Sequence, residues 1–544
     1  MRTVSRLIVT LTFLASLANA GSAQAQQKAP LITVTASSFE RLMGQAVTTF
    51  EAAGRPELAE TIGTGLARVN DLKGMTRTQP MGVMVYLNGL SPTTVAFVPT
   101  KNIDDLLKTV ELAPVSTKKT GDNQYEIAGP NRTLYVKLRE NYAYVATDSA
   151  SLDTELPDPV QSTRKLTAAY DVAASINLRG LDPATRQLAF NILKAQAENG
   201  LQRRDNEPEI AWEMRQADGE RTLAAIEILL NQGEEILLGW TVSPTERVAA
   251  LEAVVTATPG TEYAAYFGEL KGMNSRFSNL LNTQNPMAMS MSWKLDKPSR
   301  KSMRRTLAAV QKELLGQLAK EDSNTDAEDH PIRQLIQVLD STAVDGHLDM
   351  VAQMVGQPKG PFSIVGGVKL EDTGVMADAM EDLLGRLKGR PRIDNVRLNY
   401  STHNGVNIHR IDPQQPPSGE NRLFGGPVAI FLAVDRSVLW FAVGSDEAPS
   451  ELKRAMDKVA APAEQKGTTV PMQMVLNVSQ FLELIDPGSN GGGIRGLARS
   501  AFKDGGDALR IEVLPVTDGI RTRIQFDEAF LKFAGSAMAR QIER

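Results

Sequence analysis

The sequence predicts an α+β fold built from two tandem copies of one mixed module of roughly 250 residues, each with a mainly antiparallel sheet and packed helices. Three observations lead there. The same order of strand and helix patterns recurs when residues 31–284 are laid beside residues 285–544. Short polar turns separate many of the alternating apolar runs, which favours antiparallel neighbours. A chain of 544 residues that is 42% hydrophobic can also fill ordinary cores without a single cysteine to staple them.

Both copies open with a strand and a striped helix. LITVTAS from Leu31 leads into a helix carrying Phe39, Leu42, Met43, Ala46, Val47 and Phe50 on one face. MAMSMSWKL from Met287 leads into one striped by Met303, Leu307, Val310, Leu314 and Leu318. A strand pair and a helix follow. In copy one these are GVMVYLNGL, TTVAFVPT and a helix capped by Asn102; in copy two, HLDMVAQMV, FSIVGGVKL and a helix from Val375.

Three strands come next, beginning at Gln124, Thr133 and Tyr142 in copy one and at Val406, Val428 and Val438 in copy two. A short helix, a strand from Ala169 or Pro471 and a further helix continue each copy, and a strand pair with a terminal helix closes it. Copy one carries extra helix around Gln202 to Asn231, so the copies are expected to differ most there.

The N-terminus sets the expected compartment. Arg2 and Arg6 precede an apolar run from Leu7 to Ala18, and small residues at cleavage spacing follow, which reads as a secretory signal peptide over residues 1–25 ending at Ala25. The run is too short to span a bilayer, and no later segment reaches spanning length, so the mature chain is expected to be exported without a transmembrane segment. Periplasm, cell surface and medium all fit. The absence of cysteine excludes a disulfide framework, a thiolate metal site and a thiol nucleophile. With 59 basic and 64 acidic residues, a net charge of -5, no global field would draw the chain to nucleic acid.

Motifs that carry chemistry are sparse. The four histidines are His330, His347, His403 and His409, and none lies in a metalloprotease spacing. His403 and His409 flank Asn404-Gly405, the strongest hairpin signal in the chain, and read as strand residues. Asp345, His347 and Asp349 alternate along an expected strand, so all three would share one face, a geometry a metal ion could use. They are the best metal candidate, although a solvated strand edge has the same pattern. Asp322, Asn324 and Asp326 occupy the first ligand positions of a calcium loop, but Ala327 replaces its glycine and Arg333 its glutamate, so the loop reads as an acidic linker.

Lys294, Lys297, Arg300, Lys301, Arg304 and Arg305 form a basic cluster at a helix start and read as a solvated face with acidic neighbours such as Glu321. GSNGGGIRG from Gly488 lacks the lysine of a phosphate loop, and Ser91 in GLSPT lacks the closing glycine of a nucleophile elbow. Asn131, Asn399 and Asn477 begin glycosylation-type triplets. No cofactor is implied.

AFVPTKNIDDLLKTV, YVKLRENYAYVATDSASL, and ILLGWTVS leading to ATPGTEYAAYFGEL give the chain a resemblance to large exported proteins of planctomycete bacteria. It covers most of copy one and, more loosely, copy two. The resemblance implies export and this fold, and it assigns a role to no residue. Together these features predict a non-catalytic binding or envelope-associated protein, whose partner is a protein or another envelope component. The rival expectations are a hydrolase using paired carboxylates and a metal-dependent exported enzyme.

Overall fold

The computed structural model describes residues 29–60, 70–88, 91–273, 275–318, 330–356, 360–371, 373–414, 423–460, 470–482 and 493–542. The expected signal peptide, the acidic run Asp322–Asp326 and the glycine-rich run up to residue 492 lie outside these. The described chain is mixed α+β with one large antiparallel sheet.

The strands of the first half are β1 (Ile32–Ala36), β2 (Met81–Asn88), β3 (Ser91–Pro99), β4 (Ser116–Gly121), β5 (Gln124–Ala128), β6 (Thr133–Arg139), β7 (Tyr142–Ala146), β8 (Val172–Asn177), β9 (Gly233–Ser243) and β10 (Val248–Ala257). Those of the second are β11 (Met287–Lys294), β12 (His347–Gly356), β13 (Phe362–Lys369), β14 (Ile393–His403), β15 (Val406–Pro413), β16 (Ala429–Asp435), β17 (Val438–Gly444), β18 (Met472–Asn477), β19 (Ala508–Val516) and β20 (Gly519–Phe526). The principal helices are α1 (Phe39–Ala52), α2 (Ile103–Val110), α3 (Pro159–Ala169), α4 (Pro183–Leu201), α5 (Glu209–Gln232), α6 (Glu262–Leu270), α7 (Lys297–Leu318), α8 (Pro331–Asp345), α9 (Met376–Arg386), α10 (Ala448–Ala460), α11 (Ser479–Leu482), α12 (Ile494–Phe502) and α13 (Glu528–Ile542).

Pairing in the first half runs β4-β5-β6-β7-β3-β2-β1-β8-β9-β10. In the second it runs β14-β15-β16-β17-β13-β12-β11-β18-β19-β20, the same order with every index raised by ten. The inner ends of the two series meet because β10 pairs antiparallel with β20, from Ala249↔Phe526 to Thr256↔Gly519. The described strands therefore make one hydrogen-bonded sheet through both halves.

Directly paired residues share a face, so the register separates the two sides of the sheet. Val255, Trp293 and Ile520 lie under α6, and Ala249 and Phe526 under Leu531 of α13. Val368, Val434 and Leu439 lie under α8 and α9. All occupy one face. On the other face, α3 covers Ala173 and Leu237 through Leu166, and α10 covers Val351, Ala433 and Trp440 through Leu452, Ala455 and Met456.

Between α3 and α10 a single register row reads Val351, Ser290, Gln473, Glu512, Arg523, Glu252 and Gly239 across seven strands. Its centre is polar. The opposite face of the same strands carries the half-buried Met287, Met289 and Met291 on β11 and Met472 and Met474 on β18. The fold is thus a sheet backed on one side by α6, α8, α9 and α13, with Val34 and Leu251 left exposed there, and, among the described residues, flanked by two separated helices on the other.

The halves differ where α3 and α10 sit. α3 lies on β1, β8 and β9, whereas α10 lies on β13 and β17. Under α10 the connecting segment before β11 adds Phe277 and Leu280 to the core, with Phe277 meeting Trp440 edge to face at 5.8 Å. The extra helix of the first half, α5, packs along α7 of the second, and α1 packs along α13, so both helix contacts also cross between halves.

Candidate functional site

Asp345, His347 and Asp349 do not form the three-residue face that their spacing suggested. Asp345 closes α8 rather than standing on the strand, because Gly346 takes a left-handed conformation (φ 76°) that ends the helix. Its carboxylate accepts the backbone N–H of His347 at 3.1 Å. His347 and Asp349 do share a face of β12, but each is already engaged. His347 Nε2 meets Ser292 Oγ at 3.0 Å, and Asp349 accepts from Ser275 Oγ and from the Arg276 N–H, both at 2.7 Å. Asp349 thereby fixes the turn that delivers Phe277 to the core. Burial raises the Asp349 carboxyl from its ordinary value and lowers the His347 imidazole. Among the described residues no three His, Asp or Glu side chains converge as metal ligands.

The other histidines are also placed by local structure. His330 caps α8, its Nδ1 accepting the Ile332 N–H at 3.3 Å. His403 meets Asp457 at 2.7 Å, and His409, buried in β15, accepts the Asn399 N–H at 3.3 Å. Three members of the basic cluster meet acidic side chains, Lys294 and Arg300 donate to the Asp345 and Val344 carbonyls, and the expected neighbour Glu321 lies outside the described residues. Arg304 forks onto Asp340 at 2.7 and 3.1 Å, Arg305 reaches Glu220 of α5, and Lys297 reaches Glu262 at 3.5 Å. Asn477 turns its amide inward, donating to the Thr283 and Asn285 carbonyls at 3.0 and 2.6 Å.

Four carboxylates are buried among the described residues: Asp171, Glu252, Asp349 and Asp507. Each holds the fold. Asp171 accepts the Val242 N–H at 2.7 Å and pairs with Arg41, while Asp507 accepts the Ser479 N–H. Glu252 stands where the halves join and binds Tyr170 Oη at 2.8 Å and Arg523 Nη1 at 3.1 Å. Burial and the Glu252 hydrogen bond push the Tyr170 hydroxyl up to about 12. Tyr170 reaches Glu252 by lying over Gly239, where an added Cβ would meet the ring at 2.2 Å.

A cavity of about 840 Å³ opens at the α10 end of the polar row. Its floor is apolar, made by Val355 and Val365 of the sheet with Leu280 and Ala455. One wall is the flank of α10, where Glu447, Ser450, Glu451, Arg454 and Lys458 recur at helical spacing. Glu451 and Arg454 pair with one another at 2.5 Å. The opposite rim carries Asn282 and Asn285.

That rim is braced before any ligand arrives. Asn282 Nδ2 donates to Asn285 Oδ1 at 3.2 Å, Asn477 holds the carbonyls beneath, and Gln480 Nε2 donates to the Gln284 carbonyl at 3.2 Å. Asn285 Nδ2 in turn donates to Oε1 of Gln353 at 2.9 Å. Gln353 is only 3% exposed, so this bond fixes its amide in the wall of the cavity that the residue lines. The two carboxylates of the wall, Glu447 and Glu451, stand four residues apart on one helix face and do not oppose each other across the space. An acid and base pair acting from two sides of a substrate is not built here.

Sequence reasoning missed this site. No motif marks its carboxamides, which come from a loop and from β12 and meet only in three dimensions. The one readable signal was the amphipathic spacing from Glu447 to Lys458. No protein-family model, curated protein or solved structure matches the chain.

Proposed function

We propose that this is an exported, envelope-associated binding protein of the planctomycete type, without catalytic chemistry, which receives its partner on the open polar face between α3 and α10. The observation that carries this reading is the asymmetry of the sheet. Helices back much of one side, while the other side carries Ser290, Gln473, Glu512, Arg523 and Glu252 in one polar row between two helices, Gln473, Glu512 and Arg523 half-buried and Ser290 and Glu252 buried. The half-buried Gln473, Glu512 and Arg523 of that row suit recognition, since polar groups covered by a partner need hydrogen-bonding groups opposite them. The use of every buried carboxylate in holding the fold supports the non-catalytic part. The repeated strand order supports descent from a duplicated module, with boundaries at residues 31–284 and 285–544.

The test is retention of a partner from the native envelope fraction by the full mature chain, read by mass spectrometry. Reversing two half-buried charges on the open face, Arg521→Glu with Glu512→Arg, is expected to lose that partner while the circular dichroism spectrum stays the same. Turnover of a substrate by purified protein, abolished by one point change, would overturn the reading.

A further inference from the structure

We propose that the cavity beside α10 binds a short extended peptide with free ends, about five residues long, its amino terminus at Glu447 and its carboxylate at Lys458. This deepens the binding reading and rests on it. The volume of about 840 Å³ falls in the range of small-ligand sites. Three features of the lining select the class.

The first is charge at the two ends. Along the α10 wall Glu451 and Arg454 neutralise each other, which leaves Glu447 and Lys458 as the two charges facing the space among the described residues. Eleven residues of helix separate them, about 16 Å. An extended chain rises about 3.3 Å per residue, so a segment of about five residues spans that distance with its ammonium beside the carboxylate and its carboxylate beside the ammonium. The second is the floor. The half-buried Val355, beside the buried Val365 and Leu280, offers an apolar spot to side chains on one side of such a segment, because alternate residues of an extended chain point the same way.

The third is Gln353. It lines the cavity while only 3% exposed, and its Oε1 is held by Asn285 at 2.9 Å, so its amide is fixed in place at the edge of the space. A buried amide oriented in this way matches a backbone carbonyl. Among the described residues no aromatic ring lines the cavity, so they offer no stacking platform of the kind that favours sugars and bases.

The probe is the pentapeptide Ala-Val-Ala-Val-Ala, titrated into the full mature chain by calorimetry in three forms: free-ended, acetylated and amidated at its ends, and replaced by maltopentaose as a sugar control. The free-ended form is expected to bind, and capping both ends is expected to weaken it at least about tenfold, the factor that about 1.4 kcal/mol represents. Glu447→Ala and Lys458→Ala should each weaken the free-ended peptide by about the same factor and leave the capped one unchanged. Gln353→Met, checked for an unaltered melting temperature, should weaken both forms.

Equal binding of capped and free peptides, or indifference of the free peptide to E447A and K458A, would overturn the assignment. So would binding of maltopentaose in place of the peptide. If Glu447 and Lys458 serve only the α10 dipole, the two variants will lower the melting temperature and leave binding as it was. An envelope partner that still bound the open face in that event would leave the broader reading standing and remove only this one.

Discussion

At the scale of single residues, the buried polar groups of this protein act as fasteners. Tyr170, Gly239 and Glu252 show how narrow the tolerances are. The Tyr170 hydroxyl reaches Glu252 only because Gly239 has no side chain, and Glu252 in turn meets Arg523 from the other half. Tyr170→Phe removes a hydrogen bond to a buried carboxylate and is expected to cost about 2 kcal/mol in urea unfolding. Gly239→Ala sets a methyl against the ring and should cost a similar amount, about 2 kcal/mol, by overpacking. An unchanged urea midpoint in either variant would mean that Glu252 is satisfied without Tyr170. The buried histidines give a second expectation. Burial lowers the imidazoles of His347 and His409 below their ordinary 6.5. Their contribution is therefore fully present above that value and is lost as pH falls through the depressed folded values. Asp349, raised by burial, acts in the opposite sense: its contribution is present below the ordinary carboxyl value of 3.8 and is lost as pH rises through the raised folded value. The drop in urea midpoint from about pH 7.5 to about pH 5 should shrink in the paired variant His347→Gln, His409→Gln, which keeps Asp349 and isolates the imidazoles. An undiminished drop would place the acid sensitivity elsewhere.

At the scale of elements, much of the fold was legible because each strand on the covered face alternates. MAMSMSWKL reads as a strand from its alternation and VLWFAVG from being a short apolar run rich in valine and aromatic residues, and Asn404-Gly405 turned where its composition said, with positive φ at both residues (49° and 79°). β4 was not legible. STKKTG has no apolar alternation, because it is the outer strand of its half and buries little. Its lysines serve another purpose, since Lys118 and Lys119 make an edge unattractive to a further strand. β14, the outer strand of the other half, is blunted by two register shifts against β15. Asp345 was misplaced for a different reason: alternation of charged residues at i, i+2 and i+4 looks the same whether a strand begins at the first or the second of them, and only the left-handed Gly346 decides. The candidate site was the least legible part. Its rim and floor come from segments about 70 residues apart, Asn285 and Gln353, and joined only by folding.

At the scale of the whole molecule, the sheet passes from one half to the other without a break, and α1–α13 and α5–α7 contacts reinforce the junction. Continuous hydrogen bonding predicts one calorimetric unfolding transition for the described body, where two separate domains would give two. Thr522→Pro tests the cause, because Thr522 lies in β20 between Ala253 of β10 and Val513 of β19 and proline removes a ladder donor there. That variant is expected to split the single transition into two; a wild-type chain already showing two would sink the idea. The junction also imposes an order in time. β10 is complete at Ala257, but the strand that covers its open side begins at Gly519, about 260 residues later. At a ribosomal rate of about 5–20 residues per second, the first half waits roughly 13–50 s with that edge bare. For the export proposed above such a delay is an advantage, since β10 lacks its outer partner until β20, the last of the described strands, has been made.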